Sequence, residues 1–149
     1  METKDHTLRS VGKIISSQQK QIGTLPVRTL IISRWGKEID PFLQLDHKGP
    51  VHIHPGEEQE KDELPNKGFE ILTYLLEGYM EHTDSQRNFG VLYSGDVQLL
   101  TAGRGILHEE SGQVSLSYNG KDIHAIDIWI NLPRSKKHLS PAYQHVSTF

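Results

Sequence analysis

Histidine and glutamate are the residue types best suited to chemistry here, and they form two pairs at a spacing of two. The chain has 9 histidines and no cysteine, so a transition-metal site would have to use imidazole and carboxylate groups. Side chains two apart on a strand share a face, as His108 and Glu110 would, and likewise His52 and His54. A His–Glu pair with one or two further histidines could hold a metal ion with open positions. The alternative, which base rates favour, is that each pair simply lies exposed on the surface, because polar residues on strands and loop edges are mostly exposed.

Two other segments carry less specific signals. His82 precedes the turn-like residues 83–85, which predicts a solvated or turn-capping side chain. Gly103-Arg104-Gly105 separates two strand-like runs, so we interpret it as a hairpin turn. A phosphate-binding loop is the alternative, but the sequence gives no following helix whose N-terminus could bind the phosphate.

Short apolar stretches separated by Gly, Asn, Asp or Ser predict the all-β sandwich or barrel that would position these residues. In the last stretch Ile126 and Ile128 point one way and Asp127 the other, and Asn119-Gly120 before it signals a hairpin. Residues 68–78 favour a central strand, with a short helix as the competing interpretation. The predicted strands are 27–33, 42–46, 68–76, 96–102, 105–110, 114–118 and 123–132.

The length of 149 residues fits one domain, which we predict over residues 1–149. The charged run at 56–63 has no apolar periodicity and is interpreted as a surface loop. The segment 134–149 follows Pro133 and contains Pro141 among polar residues. It is typical of a linker-like tail rather than of a structural element.

Composition excludes several classes of partner. With 16 basic and 19 acidic residues the net charge is −3, which lacks the basic footprint of a nucleic-acid binder. No apolar run approaches the roughly 20 residues that span a bilayer. The polar start at 1–10 is unlike a secretory signal, and the lack of cysteine fits a reducing compartment. We therefore expect a soluble cytoplasmic protein with no nucleic-acid or membrane partner.

Two longer segments resemble the paired sequence motifs of the pirin family of cupins. Residues 68–78, Gly-Phe-Glu-Ile-Leu-Thr-Tyr-Leu-Leu-Glu-Gly, followed by Glu81-His82, resemble the first motif. Residues 95–110, which end in Gly-Arg-Gly-Ile-Leu-His-Glu-Glu, resemble the second motif and are highly specific. Segments 40–50, 129–133 and 141–144 are also similar, so the resemblance covers about residues 20–149. It implies a single all-β cupin barrel, also described as a double-stranded β-helix or jelly roll.

The resemblance implies a mononuclear iron, or a similar divalent metal, held by three histidines and one glutamate. His108 and Glu110 match two of these ligands, and Glu110 would be the catalytic residue that takes a substrate proton. Where the family has His-Pro-His, this chain has Leu64-Pro65-Asn66. Leucine cannot ligate a metal and a neutral amide is a poor substitute for imidazole. We therefore expect a degenerate site with weak or no metal.

Three other histidines could supply the missing ligands: His52 and His54 could fold back from the loop, and His82 could contribute. The lost ligands favour a binding or regulatory module, because some family members are described as regulators that bind proteins. The alternatives are a metal-dependent dioxygenase of the quercetinase kind, acting on a small aromatic ligand, and a stable product without its ancestral role. The family has two barrels and this chain matches one, so we expect a homodimer and leave a protein partner open.

Overall fold

The computed structural model describes residues 10–12, 14–31, 36–55, 57, 64–111 and 119–148, which form a nearly all-β fold as predicted. The strands are β1 (Gln18–Ile22), β2 (Leu25–Ile31), β3 (Phe42–Ile53), β4 (Leu64–Asn66), β5 (Phe69–Asp84), β6 (Phe89–Tyr93), β7 (Val97–Thr101), β8 (Ile106–Ser111), β9 (Lys121–Asn131) and β10 (Ala142–Val146). A four-residue helix, α1 (Gly36–Ile39), and a 3-10 turn at Arg134–Lys136 complete the regular elements of the described part. No helix within these residues is long and apolar enough to cross a bilayer.

Strand β5 organises the fold because its two halves belong to different sheets. Its first half pairs with β9 and β7 in a larger antiparallel sheet of order β1-β2-β3-β9-β5-β7-β10. Its second half pairs with β6 and β8, and β8 pairs with β4, which gives a smaller antiparallel sheet. The pairing does not close into a ring among the described residues. We call the space between the two sheets the interior.

Gly78 allows β5 to pass from one sheet to the other. The register with β9 shifts between Leu75 and Glu77, which marks a bulge just before this glycine. Gly78 has φ of +91°, and a Cβ added there would lie 1.7 Å from the carbonyl oxygen of Asp122. Because that atom is backbone and cannot swing aside, the bend requires glycine.

Six of the seven predicted strands correspond to strands of the structure, while 114–118 lies outside the described residues. The central-strand interpretation of 68–78 is confirmed, and the helix alternative is wrong. Strands β3 and β5 run past their predicted ends to Ile53 and Asp84, and β1, β4, β6 and β10 were not predicted. Apart from Glu57, the charged run at 56–63 is also outside the described residues.

The prediction of a hairpin at Gly103-Arg104-Gly105 is wrong. The turn joins β7 in the larger sheet to β8 in the smaller one, and these two strands do not pair with each other. A Cβ at Gly103, whose φ is +49°, would lie 2.2 Å from the carbonyl oxygen of Leu139. The glycines therefore let the chain cross between sheets while the following tail passes close by.

Part of the predicted linker-like tail forms a strand, because β10 pairs with β7 over five residue pairs. Asp96, just before β7, anchors it. Its Oδ2 accepts hydrogen bonds from His145 Nε2 at 3.0 Å and from the Tyr93 N–H at 2.9 Å. Its Oδ1 accepts one from the Thr148 N–H at 3.1 Å. These bonds, the one from Tyr93 foremost, outweigh burial and lower the pKa of Asp96 to about 2.

We predict that Asp96→Ala lowers the free energy of unfolding by about 1–3 kcal/mol, because three hydrogen bonds to a buried, charged acceptor are lost. Since its folded pKa lies below 3.8, Asp96 stabilises the fold above that pH, and the contribution is lost as the pH falls towards 2. Hydrogen exchange of the amides in Ala142–Val146 should be faster in the variant at neutral pH. Asp122→Ala, at a carboxylate that is 55% exposed, is the control. Equal acceleration in both variants would contradict the anchoring role.

Candidate functional site

A row of polar residues crosses the larger sheet and faces the interior. Asp127 on β9 lies opposite Thr73 on β5, and Thr73 lies opposite Gln98 on β7. Directly opposite residues of antiparallel strands point to the same face, so the three side chains are neighbours. The residues are 4%, 0% and 1% exposed, and buried polar groups require partners. The register thus places a polar centre inside the fold.

Glu110 on β8 reaches this row from the smaller sheet. Its Oε1 accepts hydrogen bonds from Gln98 Nε2 at 2.7 Å and from Thr73 Oγ1 at 3.2 Å. Its Oε2 lies 2.6 Å from Lys48 Nζ on β3. The Glu110 side chain is only 9% exposed. Its carboxylate therefore links the two sheets through three side chains of the larger one.

Lys48 joins two buried carboxylates. Its Nζ lies 2.6 Å from Glu110 Oε2 and 2.5 Å from Asp127 Oδ2, and its side chain is 12% exposed. Burial by itself would lower the pKa of Lys48, but the charges and hydrogen bonds of Asp127 and Glu110 outweigh burial and raise it. The ammonium group therefore stays charged in the interior.

The two carboxylates respond differently to the same ammonium group, although burial favours the neutral form of both. For Glu110, the charge of Lys48 opposes burial most strongly, and the pKa is held well below its usual value. For Asp127, burial prevails over Lys48, and with the nearby charge of Glu110 it raises the pKa. Glu110 therefore stays ionised down to a lower pH than Asp127 does.

Asn66 on β4 determines which ring nitrogen of neutral His108, on the adjacent strand β8, carries the proton. Asn66 Nδ2 donates to His108 Nδ1 at 2.7 Å and to the carbonyl oxygen of Leu64 at 3.0 Å, and the second bond orients the amide. Because an amide N–H only donates, Nδ1 is the acceptor and neutral His108 carries its proton on Nε2. That Nε2 lies 3.8 Å from Glu110 Oε1, beyond hydrogen-bond distance.

His82 lies in the interior, so the prediction of a solvated or turn-capping role is wrong. The residue is 0% exposed, and its ring stacks on Tyr143 of β10 with centroids 4.3 Å apart and on His108 at 5.8 Å. Burial, the largest influence, lowers the pKa of His82. The turn is capped instead by Asp84, whose Oδ1 accepts the N–H groups two and four residues further on.

His52 and His54 lie at the end of β3 and just after it, apart from this interior. His52 is 43% exposed and its Nδ1 lies 2.8 Å from Asp122 Oδ1, while the ring of exposed His54 is 4.9 Å away. The described part of the chain, which includes both pairs, contains no group of three His, Asp or Glu that could hold a metal ion. The structure therefore brings His108 and Glu110 together without His52 and His54.

The residues present do not fit a metal ion held by three histidines and one glutamate. Leu64 offers no ligand atom and is 47% exposed, and the Asn66 amide donates to His108. The His108 Nε2 that faces Glu110 carries a proton, and Glu110 is bound by Lys48. Leu64 and Asn66 therefore offer no metal ligand, while a proton occupies the facing nitrogen of His108 and Lys48 binds the carboxylate of Glu110.

Sequence reasoning missed Lys48, Asp127, Thr73 and Gln98 as members of this site. The predicted strand ended at residue 46, which left Lys48 outside any element. One signal was available, because Asp127 shares a strand face with the apolar Ala125, and a carboxylate on a buried face needs a partner. That signal could not name the partner, since Lys48 and Asp127 meet only through the register of β3 with β9.

Two antiparallel sheets around a polar interior, with a histidine and a glutamate two apart on one strand, define a cupin-type protein. The family model described as Pirin matches residues 19–130, which is most of the chain. The chain belongs to the pirin family.

Similar proteins carry two kinds of name. A Pseudomonas aeruginosa protein provisionally named quercetin 2,3-dioxygenase is 39% identical over 121 residues, covering 80% of this chain and 42% of that protein. Pirin-like protein 2 of Arabidopsis thaliana is 35% identical over 139 residues, covering 92% and 39%. The chain thus spans less than half the length of these relatives.

Solved structures show the same fold. A quercetin 2,3-dioxygenase from Acinetobacter baumannii matches with a TM-score of 0.80 and 33% identity, over 92% of this chain and 49% of that one. The bacterial pirin YhhW from Escherichia coli, in complex with nickel(II), matches with a TM-score of 0.66 and 27% identity, over 87% and 54%. A metal ion is therefore bound in at least one relative.

Proposed function

We propose that this chain is a pirin-family binding or regulatory module that lacks the metal-dependent dioxygenase chemistry. One observation carries the proposal: the Glu110 carboxylate is bound by Lys48 at 2.6 Å, so the one retained acidic ligand is engaged within the protein. Leu64 and Asn66 support it, because they stand where the family has imidazoles. Two protein ligands rarely hold a transition metal tightly.

A quercetinase-like dioxygenase that takes a small aromatic substrate and uses iron is the second candidate. The names of two relatives favour it, as does Glu110, which stays ionised and could accept a proton. Site residues weigh more than these names, because one fold hosts many functions. A dioxygenase of this kind would need a donor set that His108 and Glu110 alone do not provide.

Oxygen uptake with quercetin separates the two candidates. The protein is assayed with Fe²⁺ or Ni²⁺ supplied, beside the Acinetobacter baumannii dioxygenase in the same buffers. We expect uptake at the protein-free rate for this chain and turnover for the comparison enzyme. Repeated turnover by this chain would overturn the proposal, and loss of that turnover in Glu110→Gln would then assign the catalytic residue.

We also propose that two copies associate through β6. Phe89 and Tyr93 are 65% and 60% exposed and share an outward face with Val91, on a strand that pairs only with β5 among the described residues. An apolar row on an edge strand favours pairing with another chain. Light scattering should give a dimer mass for the parent and a monomer mass for Phe89→Ser/Tyr93→Ser. A monomeric parent at high concentration would rule the dimer out.

A further inference from the structure

In the interior Lys48 is in direct contact with two carboxylates, Glu110 and Asp127, and it is the only cation of these three side chains. The side chains of Lys48, Glu110 and Asp127 are 12%, 9% and 6% exposed. Carboxylates taken out of water lose hydration, and two side by side repel each other unless a positive charge lies between them. The fold therefore needs a cation at the point where Glu110 and Asp127 approach.

We propose that the ammonium group of Lys48 is a built-in cation that takes the place of a metal ion at Glu110. The inference rests on the proposed function, because both require an interior that works without a metal. The ammonium group neutralises Glu110, and through Asp127 it ties β3 and β9 of the larger sheet to β8 of the smaller one. A metal bound at Glu110 would supply the same positive charge from outside the chain.

The same group would keep a divalent ion out. An ion bound to Glu110 would lie within a few ångströms of Lys48 Nζ, and two positive charges at that distance repel strongly in a poorly hydrated interior. The ion would also have to displace the contact of 2.6 Å between Nζ and Oε2. Two features therefore act against metal binding at this site. One is the absence of imidazoles at Leu64 and Asn66, and the other is the ammonium group of Lys48.

Isothermal titration with Ni²⁺ as the probe tests the inference on four proteins, each comprising all 149 residues of the chain. They are the parent, Lys48→Met, Leu64→His/Asn66→His and the triple variant that combines all three changes. Methionine keeps the length of the lysine stem without its charge, and the two new histidines restore the family's imidazoles. Lys67→Met in the two-histidine background is the matched control, because it removes a positive charge from an exposed residue.

We expect the triple variant to bind Ni²⁺ roughly 100-fold more tightly than the two-histidine variant, because a repelling charge has gone. The Lys67→Met control should bind like the two-histidine variant. Equal affinity with and without Lys48 would overturn the inference while leaving the proposed function intact. Tight, stoichiometric Ni²⁺ binding by the parent would instead overturn the proposed function itself.

A second set of variants protects the test against misfolding. Lys48→Met leaves Glu110 and Asp127 without a cation, so the comparison is repeated with Asp127→Asn in every background. Circular dichroism and a thermal melt confirm folding before each titration. The affinity gain on removing Lys48 should persist in the Asp127→Asn backgrounds, since Glu110 and the two histidines are unchanged. Loss of the gain in those backgrounds would overturn the inference. It would show that the gain came from Asp127 acting as a metal ligand and not from removal of the Lys48 charge.

Discussion

Replacement of Lys48 by alanine is expected to lower the free energy of unfolding by about 3–5 kcal/mol. The change leaves Glu110 and Asp127 buried with no cation, and breaking one side of a buried ion pair is among the most costly substitutions. Both carboxylates must then take up protons or open the fold to water. Urea unfolding at neutral pH, followed by far-UV circular dichroism, measures the loss. Lys67→Ala, at an exposed lysine, should change stability by no more than about 0.5 kcal/mol.

Neutralising the partners should recover most of that loss. In Lys48→Met/Glu110→Gln/Asp127→Asn no buried charge remains in the group, and a neutral packed replacement of a buried ion pair is often as stable as the pair. Recovery to near the parent value would show that the cost came from unpaired charge. If Lys48→Met/Glu110→Gln/Asp127→Asn were as unstable as Lys48→Ala, this explanation would be contradicted. The loss would then come from the packing of the lysine stem.

Leu75→Ala is expected to cost about 2–5 kcal/mol. Leu75 is 0% exposed on β5 and packs with Met80, Leu92 and Ala125, close to the point where the strand changes sheets. The substitution leaves a cavity between the sheets in addition to the lost burial of the side chain. Urea unfolding with an unchanged m-value would identify the loss as one of stability.

Leu107→Ala is the matched control for this substitution. Leu107 is 42% exposed on β8, so the same atoms are removed where no closed cavity can form. Its effect should be within about 1 kcal/mol of the parent, at the level of partly exposed sites. Similar losses at Leu75 and Leu107 would contradict the assignment of Leu75 to the core.

The strands that were predicted best are those whose apolar–polar alternation or sequence motif lies within the strand itself. Residues 68–78 and 123–132 are predicted as strands from their own composition, and β5 and β9 are observed there. His108 and Glu110 share a face because two-residue spacing on a strand requires it, and both are buried in the interior. Such predictions need no knowledge of the neighbouring strands.

The remaining site residues depend on pairing between distant segments. Lys48 and Glu110 are 62 residues apart in the sequence, yet their side chains are in contact. The predicted strand ends at residue 46, whereas β3 continues through Lys48 to Ile53 with two register shifts against β9. His82 is buried because β10 returns over it with Tyr143, from a segment whose prolines and polar residues are typical of a linker. Neither relation is encoded in local periodicity, so a single sequence could not reveal it.

Metal content after reconstitution tests most directly whether the interior works without a metal. The purified protein is incubated anaerobically with Fe²⁺, desalted, and measured by inductively coupled plasma mass spectrometry beside His108→Ala. Since Lys48 engages Glu110 and the His108 Nε2 that faces it carries a proton, both proteins should retain far less than one ion per chain. Near-stoichiometric iron in the parent that disappears in His108→Ala would contradict the account and restore the dioxygenase interpretation.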